Sequence, residues 1–63
     1  MDAEATINHL MRANPGANVF VFHPAYAIAR DRQGRTRTAY WHEHPTEADA
    51  IKAALIRLPS EAN

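Results

Sequence analysis

The prolines constrain this chain more than any other feature. Pro15, Pro24, Pro45 and Pro59 each fall where the residue pattern changes. Proline lacks an amide donor and drives the preceding residue toward extended backbone, so such positions tend to bound structural elements. The segments between them can therefore be assigned one at a time.

In the first segment, DAEATINHLMRAN, Ala3, Ile7, Leu10 and Met11 recur at helical spacing and form one apolar stripe. Asp2 can cap this helix, and Glu4 lies in the first turn, where the helix dipole favours a negative charge. Asn14-Pro15-Gly16 ends it. The second segment, ANVFVFH, offers Val19, Phe20, Val21 and Phe22, which are β-favouring and apolar on both faces. That pattern predicts a strand with neighbours on both sides, or one covered on both faces. His23-Pro24 ends or bulges it.

The third segment, AYAIARDRQGRTRTAYWHEH, reads as a hairpin turning at Asp31-Arg32-Gln33-Gly34, with Gly34 in a left-handed conformation. In that register Asp31 pairs with Arg35, and Tyr26 lies near Tyr40. A two-residue turn at Gln33-Gly34 would instead set Arg30 opposite Arg37 and Arg32 opposite Arg35. Like charges across a ladder are unfavourable, so the bulged register is preferred. It puts Tyr26, Ile28, Thr36, Thr38 and Tyr40 on one face, and Ala25, Ala27, Ala29, Ala39 and Trp41 on the other. In the last segment, TEADAIKAALIRL, an apolar stripe of Ala48, Ile51, Ala54, Leu55 and Leu58 marks a helix. Thr46 caps it with Asp49 three residues on, and Arg57 lies at its negative end.

The expected fold is α+β in the order α-β-β-β-α, a three-stranded antiparallel meander with two helices packed on one face. The expected single domain has a helix over about 3–13, strands over about 18–23, 25–31 and 35–43, a helix over about 46–58 and a tail at 59–63. Small alanines would let the helices approach closely. The Tyr26/Ile28/Tyr40 face, joined by Phe20 or Phe22, would then lie open to solvent. It is too apolar to go unused, and predicts a homodimer or a partner. The alternative is the opposite face assignment, with the rings as the core.

A chain of 63 residues buries only about 60% of the surface its unfolded form exposes, and such domains commonly need a staple. With no cysteine, neither a disulfide nor a thiolate-bound metal is available. Oligomerisation or a His/carboxylate metal site remains. The lack of cysteine fits a reducing compartment. MDAEATINHL carries no basic stretch followed by an apolar run, so no signal peptide is expected. The most apolar window is interrupted by Asn18, His23 and Pro24, and falls far short of the roughly 20 residues of a membrane helix. A complete, soluble, cytoplasmic product is the expectation.

Seven Lys and Arg balance seven Asp and Glu. Zero net charge disfavours a dedicated nucleic-acid binder, which usually shows a basic excess. Yet Arg30, Arg32, Arg35 and Arg37 crowd one hairpin. Guanidinium forks there can meet an acidic protein surface, straddle a phosphate backbone, or keep the tip soluble. His42 and His44, two apart on the expected strand, would share a face, and His23 could join them as a zinc site. Solvent-facing histidines at a strand end are the plainer account, so no metal or other cofactor is expected. Enzymatic machinery is thin. The one serine is Ser60 in the tail, Gly16 and Gly34 stand alone, and no paired carboxylates lie in an apolar context. The chain is not expected to be an enzyme.

The element order, with A-D-A-I-K-A-A-L-I-R-L after a hairpin, resembles the double-stranded RNA-binding domain. That family starts its second helix with a phosphate-gripping lysine cluster. Here the stretch is Thr46-Glu47-Ala48-Asp49-Ala50, which is acidic, so RNA binding is not carried over. In size, neutrality and lack of catalytic residues the chain is also similar to small phage and mobile-element inhibitors, anti-CRISPR proteins among them. That resemblance implies a surface patch that blocks a host nucleic-acid machine by protein–protein contact.

The leading expectation is a non-enzymatic interaction protein that binds and modulates a protein partner. Its contact residues would be Arg30, Arg32, Arg35 and Arg37 with Tyr26, Ile28 and Tyr40. The alternatives are a nucleic-acid-binding regulator using the Arg30–Arg37 hairpin, and a small metal-binding domain at His23, His42 and His44.

Overall fold

The computed structural model describes residues 2–59. Of the expected tail, positions 60–63, with Ser60, lie outside the described residues. The order is α1 (Ala3–Ala13), β1 (Asn18–Phe22), β2 (Tyr26–Arg30), β3 (Thr36–Tyr40), a 3₁₀ turn (Trp41–Glu43) and α2 (Glu47–Ile56). The α-β-β-β-α expectation is met.

Both helices start on the residues expected to cap them. The Ala5 N–H donates to Asp2 Oδ1 at 2.8 Å. At α2 the Asp49 N–H donates to Thr46 Oγ1 at 3.1 Å, and that hydroxyl donates to Asp49 Oδ2 at 2.7 Å. Each bond satisfies a group that a helix end would otherwise leave unpaired. At the close of α1 the Asn14 side-chain amide donates to the Leu10 carbonyl at 2.8 Å. The chain then reverses at Gly16, whose φ is +85°. A Cβ at Gly16 would stand 2.8 Å from the Cβ of Arg32, so both the left-handed backbone and the close approach require glycine. Gly16→Ala is expected to cost about 1–3 kcal/mol from the backbone alone, read as a lower thermal midpoint by circular dichroism.

The strands form one antiparallel sheet in the order β1-β2-β3. Tyr26 faces Tyr40, Ile28 faces Thr38 and Arg30 faces Thr36 across β2 and β3. The Asp31 N–H donates to the Arg35 carbonyl at 2.9 Å and the Gly34 N–H to the Asp31 carbonyl at 3.0 Å. Gly34 has φ +85°. This is the bulged register, and no arginine opposes another across the ladder. On the other side Phe22 faces Tyr26, Phe20 faces Ile28 and Asn18 faces Arg30.

Side chains alternate across a strand, and burial shows which face is covered. Ala27, Ala29 and Ala39 are wholly buried, as are Ala50 and Ala54 of α2. Alanine on both surfaces lets α2 lie close on the sheet. Ala17, Leu55 and Leu58 complete the apolar buried set, with Ile7, Leu10, Met11, Val19, Trp41 and Ile51 packed around it. Helix α1 leans chiefly on α2. The molecule measures 31 × 26 × 15 Å, a depth that holds a helix layer and a sheet, with none of the described elements on the sheet's far side.

Several expectations are corrected. Strand β1 has a neighbour on one side only, and Phe20, Val21 and Phe22 are all exposed. It is an edge strand, neither central nor covered on both faces. Strand β3 stops at Tyr40 rather than running to 43. The Trp41 N–H still reaches the Ala25 carbonyl, but the His44 N–H then closes a tight turn onto the Trp41 carbonyl. Pro45 holds His44 extended. Helix α2 ends at Ile56 instead of 58, with Arg57 as its cap. Ala25, expected on the alanine face, lies exposed in the β1–β2 turn.

Candidate functional site

The uncovered sheet face carries three rows of side chains. The first runs Phe22–Tyr26–Tyr40, the second Phe20–Ile28–Thr38 and the third Asn18–Arg30–Thr36. Phe22 and Tyr26 stack with centroids 5.0 Å apart, Tyr26 and Tyr40 lie 6.1 Å apart, and His42 continues the band 5.9 Å beyond Tyr40. Phe20, Phe22 and Tyr40 are 41%, 47% and 48% exposed, so these rings meet solvent rather than a second layer. The Arg30 guanidinium lies 5.2 Å from the centroid of the Phe20 ring, within the range of a cation–π contact.

The register sets Tyr26, Ile28 and Tyr40 on one face, the face assigned to them from the sequence, and it adds Arg30, which the sequence placed only in the hairpin-tip cluster. It settles both Phe20 and Phe22 there too. The remaining arginines are directed elsewhere. Arg35 Nε binds Asp31 Oδ2 at 2.7 Å and its guanidinium also donates to Gln33 Oε1. Arg37 opposes Ala29, on the helix side of the sheet, and donates to the Thr36 carbonyl at 2.7 Å. Arg32 sets its Cβ beside Gly16. The hairpin arginines are thus engaged within the chain and do not form one fork aimed outward.

Asp31 organises the tip. It is almost wholly buried, and its Oδ1 accepts from the Gln33 and Arg35 N–H groups at 3.0 and 2.9 Å. Burial raises its carboxyl. The Arg35 N–H, the Arg35 side chain and the Gln33 N–H outweigh this and hold it below its ordinary value of 3.8. At α2 the Thr46 hydroxyl lowers the Asp49 carboxyl against an opposing effect of burial, with Lys52 and His44 adding charge in the same direction. A carboxyl depressed in the folded state stabilises the fold fully above its unfolded value, and that contribution drains as pH falls through the folded value. The urea midpoint is therefore expected to drop below about pH 4. Asp31→Asn should lower the midpoint near neutral pH and flatten the acid limb.

The three histidines do not assemble. The expectation that His42 and His44 share a strand face fails because the strand has already ended. His42 turns toward Tyr40, His23 stands edge-on to Trp41 at 4.5 Å, and His44 has its Nε2 enclosed. Among the described residues no group of three His, Asp or Glu side chains is placed to hold a metal ion. An open cleft of about 390 Å³ lies between the helices, lined by Glu4, Ile7, Asn8, Glu47, Ala48 and Ile51. It offers two carboxylates and no nucleophile or histidine. No described helix is long and apolar enough to cross a membrane.

Two features escaped the sequence. One is the Arg57 guanidinium, which donates to the Thr38 carbonyl of β3 at 2.9 Å; the sequence shows only a charge at a helix end. The other is the enclosed Trp41 indole N–H, which meets no partner among the described residues. No family model, no curated protein and no solved structure matches the chain.

Proposed function

We propose that this chain is a non-enzymatic interaction protein that binds a protein partner through the open face of its sheet and modulates or inhibits that partner. The observation that carries this is the make-up of the face. Its strand positions hold two Phe, two Tyr, two Thr, Ile, Arg and Asn, with no Lys, Glu, Asp, Ser or Ala among them. That matches the core of a protein–protein interface, where aromatics and Arg are enriched and those five types are depleted. Tyr and Arg are also the types that most often dominate binding energy. The alanines of the sheet all lie on the covered side, so the two faces are sharply unlike.

The most concrete form is a small inhibitor that covers a working surface of a larger machine, the mode that a resemblance to phage inhibitors in size, neutrality and lack of catalytic residues implies. Intramolecular engagement of Arg35 and Arg37 favours protein over nucleic acid, since a phosphate-binding hairpin needs those forks turned outward. The test is capture of one partner by the wild-type chain, repeated with Tyr26→Thr/Tyr40→Thr and with Arg35→Glu/Arg37→Glu. The proposal expects the tyrosine variant to lose capture while remaining folded. Binding that survives it but collapses with salt, as phosphate contacts do, would point to nucleic acid instead.

A further inference from the structure

We infer that β1 is the interface for a second copy of this chain, pairing antiparallel with its twin to make one six-stranded sheet. Asn-Val-Phe-Val-Phe is uncharged and apolar on both faces, the pattern of an interior strand, yet β1 sits at an edge. Edge strands are ordinarily blunted by charge, proline or a cover. None of these devices is present within β1.

The two edges of the sheet are treated differently. Backbone bonds in an antiparallel pair alternate from side to side. The Asp31–Arg35 and Ala25–Trp41 bonds fix that alternation: Thr36, Thr38 and Tyr40 turn their backbone groups away from β2, to the outer edge of β3. There the Arg37 side chain occupies the Thr36 carbonyl and the Arg57 side chain the Thr38 carbonyl. Two arginines thus cap the β3 edge against a further strand. On β1 the same alternation turns the backbone groups of Val19 and Val21 outward, and no side chain of the described residues is seated on them. Two carbonyls of the β3 edge carry an arginine, and among the described residues none on the β1 edge does.

The occupant follows from self-complementarity. Pairing about a two-fold axis at Phe20 sets Val19 against Val21 of the second copy, and Phe20 against its own counterpart. No charge within the strand opposes a like charge. The capped β3 edges then stop growth at two chains. Face-to-face pairing is less favourable, because the open face carries Arg30 and no carboxylate at its strand positions. Edge pairing also sets both open faces on the same side, so the aromatic surface doubles in width while Tyr26 and Tyr40 stay uncovered. The inference therefore stands independently of the partner-binding proposal, and either can fail alone.

The test uses the full chain and its lack of native cysteine. Light scattering over a concentration series should show a mass rising from one chain to two and no further. Phe20→Cys should form an intermolecular disulfide under mild oxidation, because facing residues of a non-hydrogen-bonded pair lie about 4.5 Å apart at Cα. Tyr40→Cys should not. Val21→Pro should abolish the dimer while retaining a folded spectrum, since proline is tolerated where the missing N–H faces outward. Should that variant unfold, Val21→Lys serves the same end. A monomer up to about 1 mM, which is binding weaker than about −4 kcal/mol, overturns the inference. So does a folded Val21→Pro or Val21→Lys dimer, a Tyr40→Cys cross-link equal to that of Phe20→Cys, or growth beyond two chains.

Discussion

Leu55→Ala is expected to leave a large fraction of the chain unfolded at room temperature. Among the described residues Leu55 is the one large side chain that is fully buried; the other wholly buried residues are alanines. Truncating a buried leucine costs about 2–5 kcal/mol, because the vacated space collapses only in part. Domains are stable by roughly 0.05–0.15 kcal/mol per residue, or about 3–9 kcal/mol for a chain this long. A core built of alanine has little else to lose. Urea titration followed by circular dichroism reads the effect directly. A midpoint close to wild type would show that the packing of α2 on the sheet is not what holds the fold.

The second large effect is on binding. Tyr26→Thr/Tyr40→Thr keeps β-branched side chains at both positions, so strand propensity is preserved. Ring contacts across strands are worth about 0.2–1 kcal/mol each, which lowers the thermal midpoint by only a few degrees per contact. Partner capture should instead fall about 1,000-fold, as two hot-spot residues at about 2 kcal/mol each sum to about 4 kcal/mol. A stability loss as large as that of Leu55→Ala would mean that the rings serve as core. Unchanged capture would move the working surface elsewhere.

Much of the fold was legible because local signals agreed. Asp2 and Thr46 mark helix starts by the bonds they make, and the repulsion of facing arginines selected the hairpin register that is observed. The open face followed from that register, since period-two alternation assigns Tyr26, Ile28 and Tyr40 to one side once the turn is known. What was misread has equally physical causes. Apolarity on both faces of β1 is common to an interior strand and to an edge strand that meets another chain, so sequence alone could not place it. The end of β3 was hidden because Trp41 continues the inward alternation. Nothing in His42-Glu43-His44 signals that the backbone has begun to turn. With the strand over, the same-face histidine pair that suggested a metal site does not exist. The Arg57 bond also depended on long-range placement: it joins the end of α2 to a β3 carbonyl nineteen residues away, on an edge that exists only once the sheet has formed.

The central claim is that Tyr40 and Ala39, adjacent in sequence, face opposite worlds: one an exposed aromatic sheet face, the other a sealed alanine core. Thiol labelling tests it most directly, because each single-cysteine variant carries the only thiol in the chain. Tyr40→Cys should react with a water-soluble thiol reagent at the rate of an unfolded peptide. Ala39→Cys should react only as fast as the chain opens, slower by at least about 100-fold for a domain stable by about 3 kcal/mol or more. Equal rates, or a protected Tyr40→Cys beside a reactive Ala39→Cys, would contradict the account.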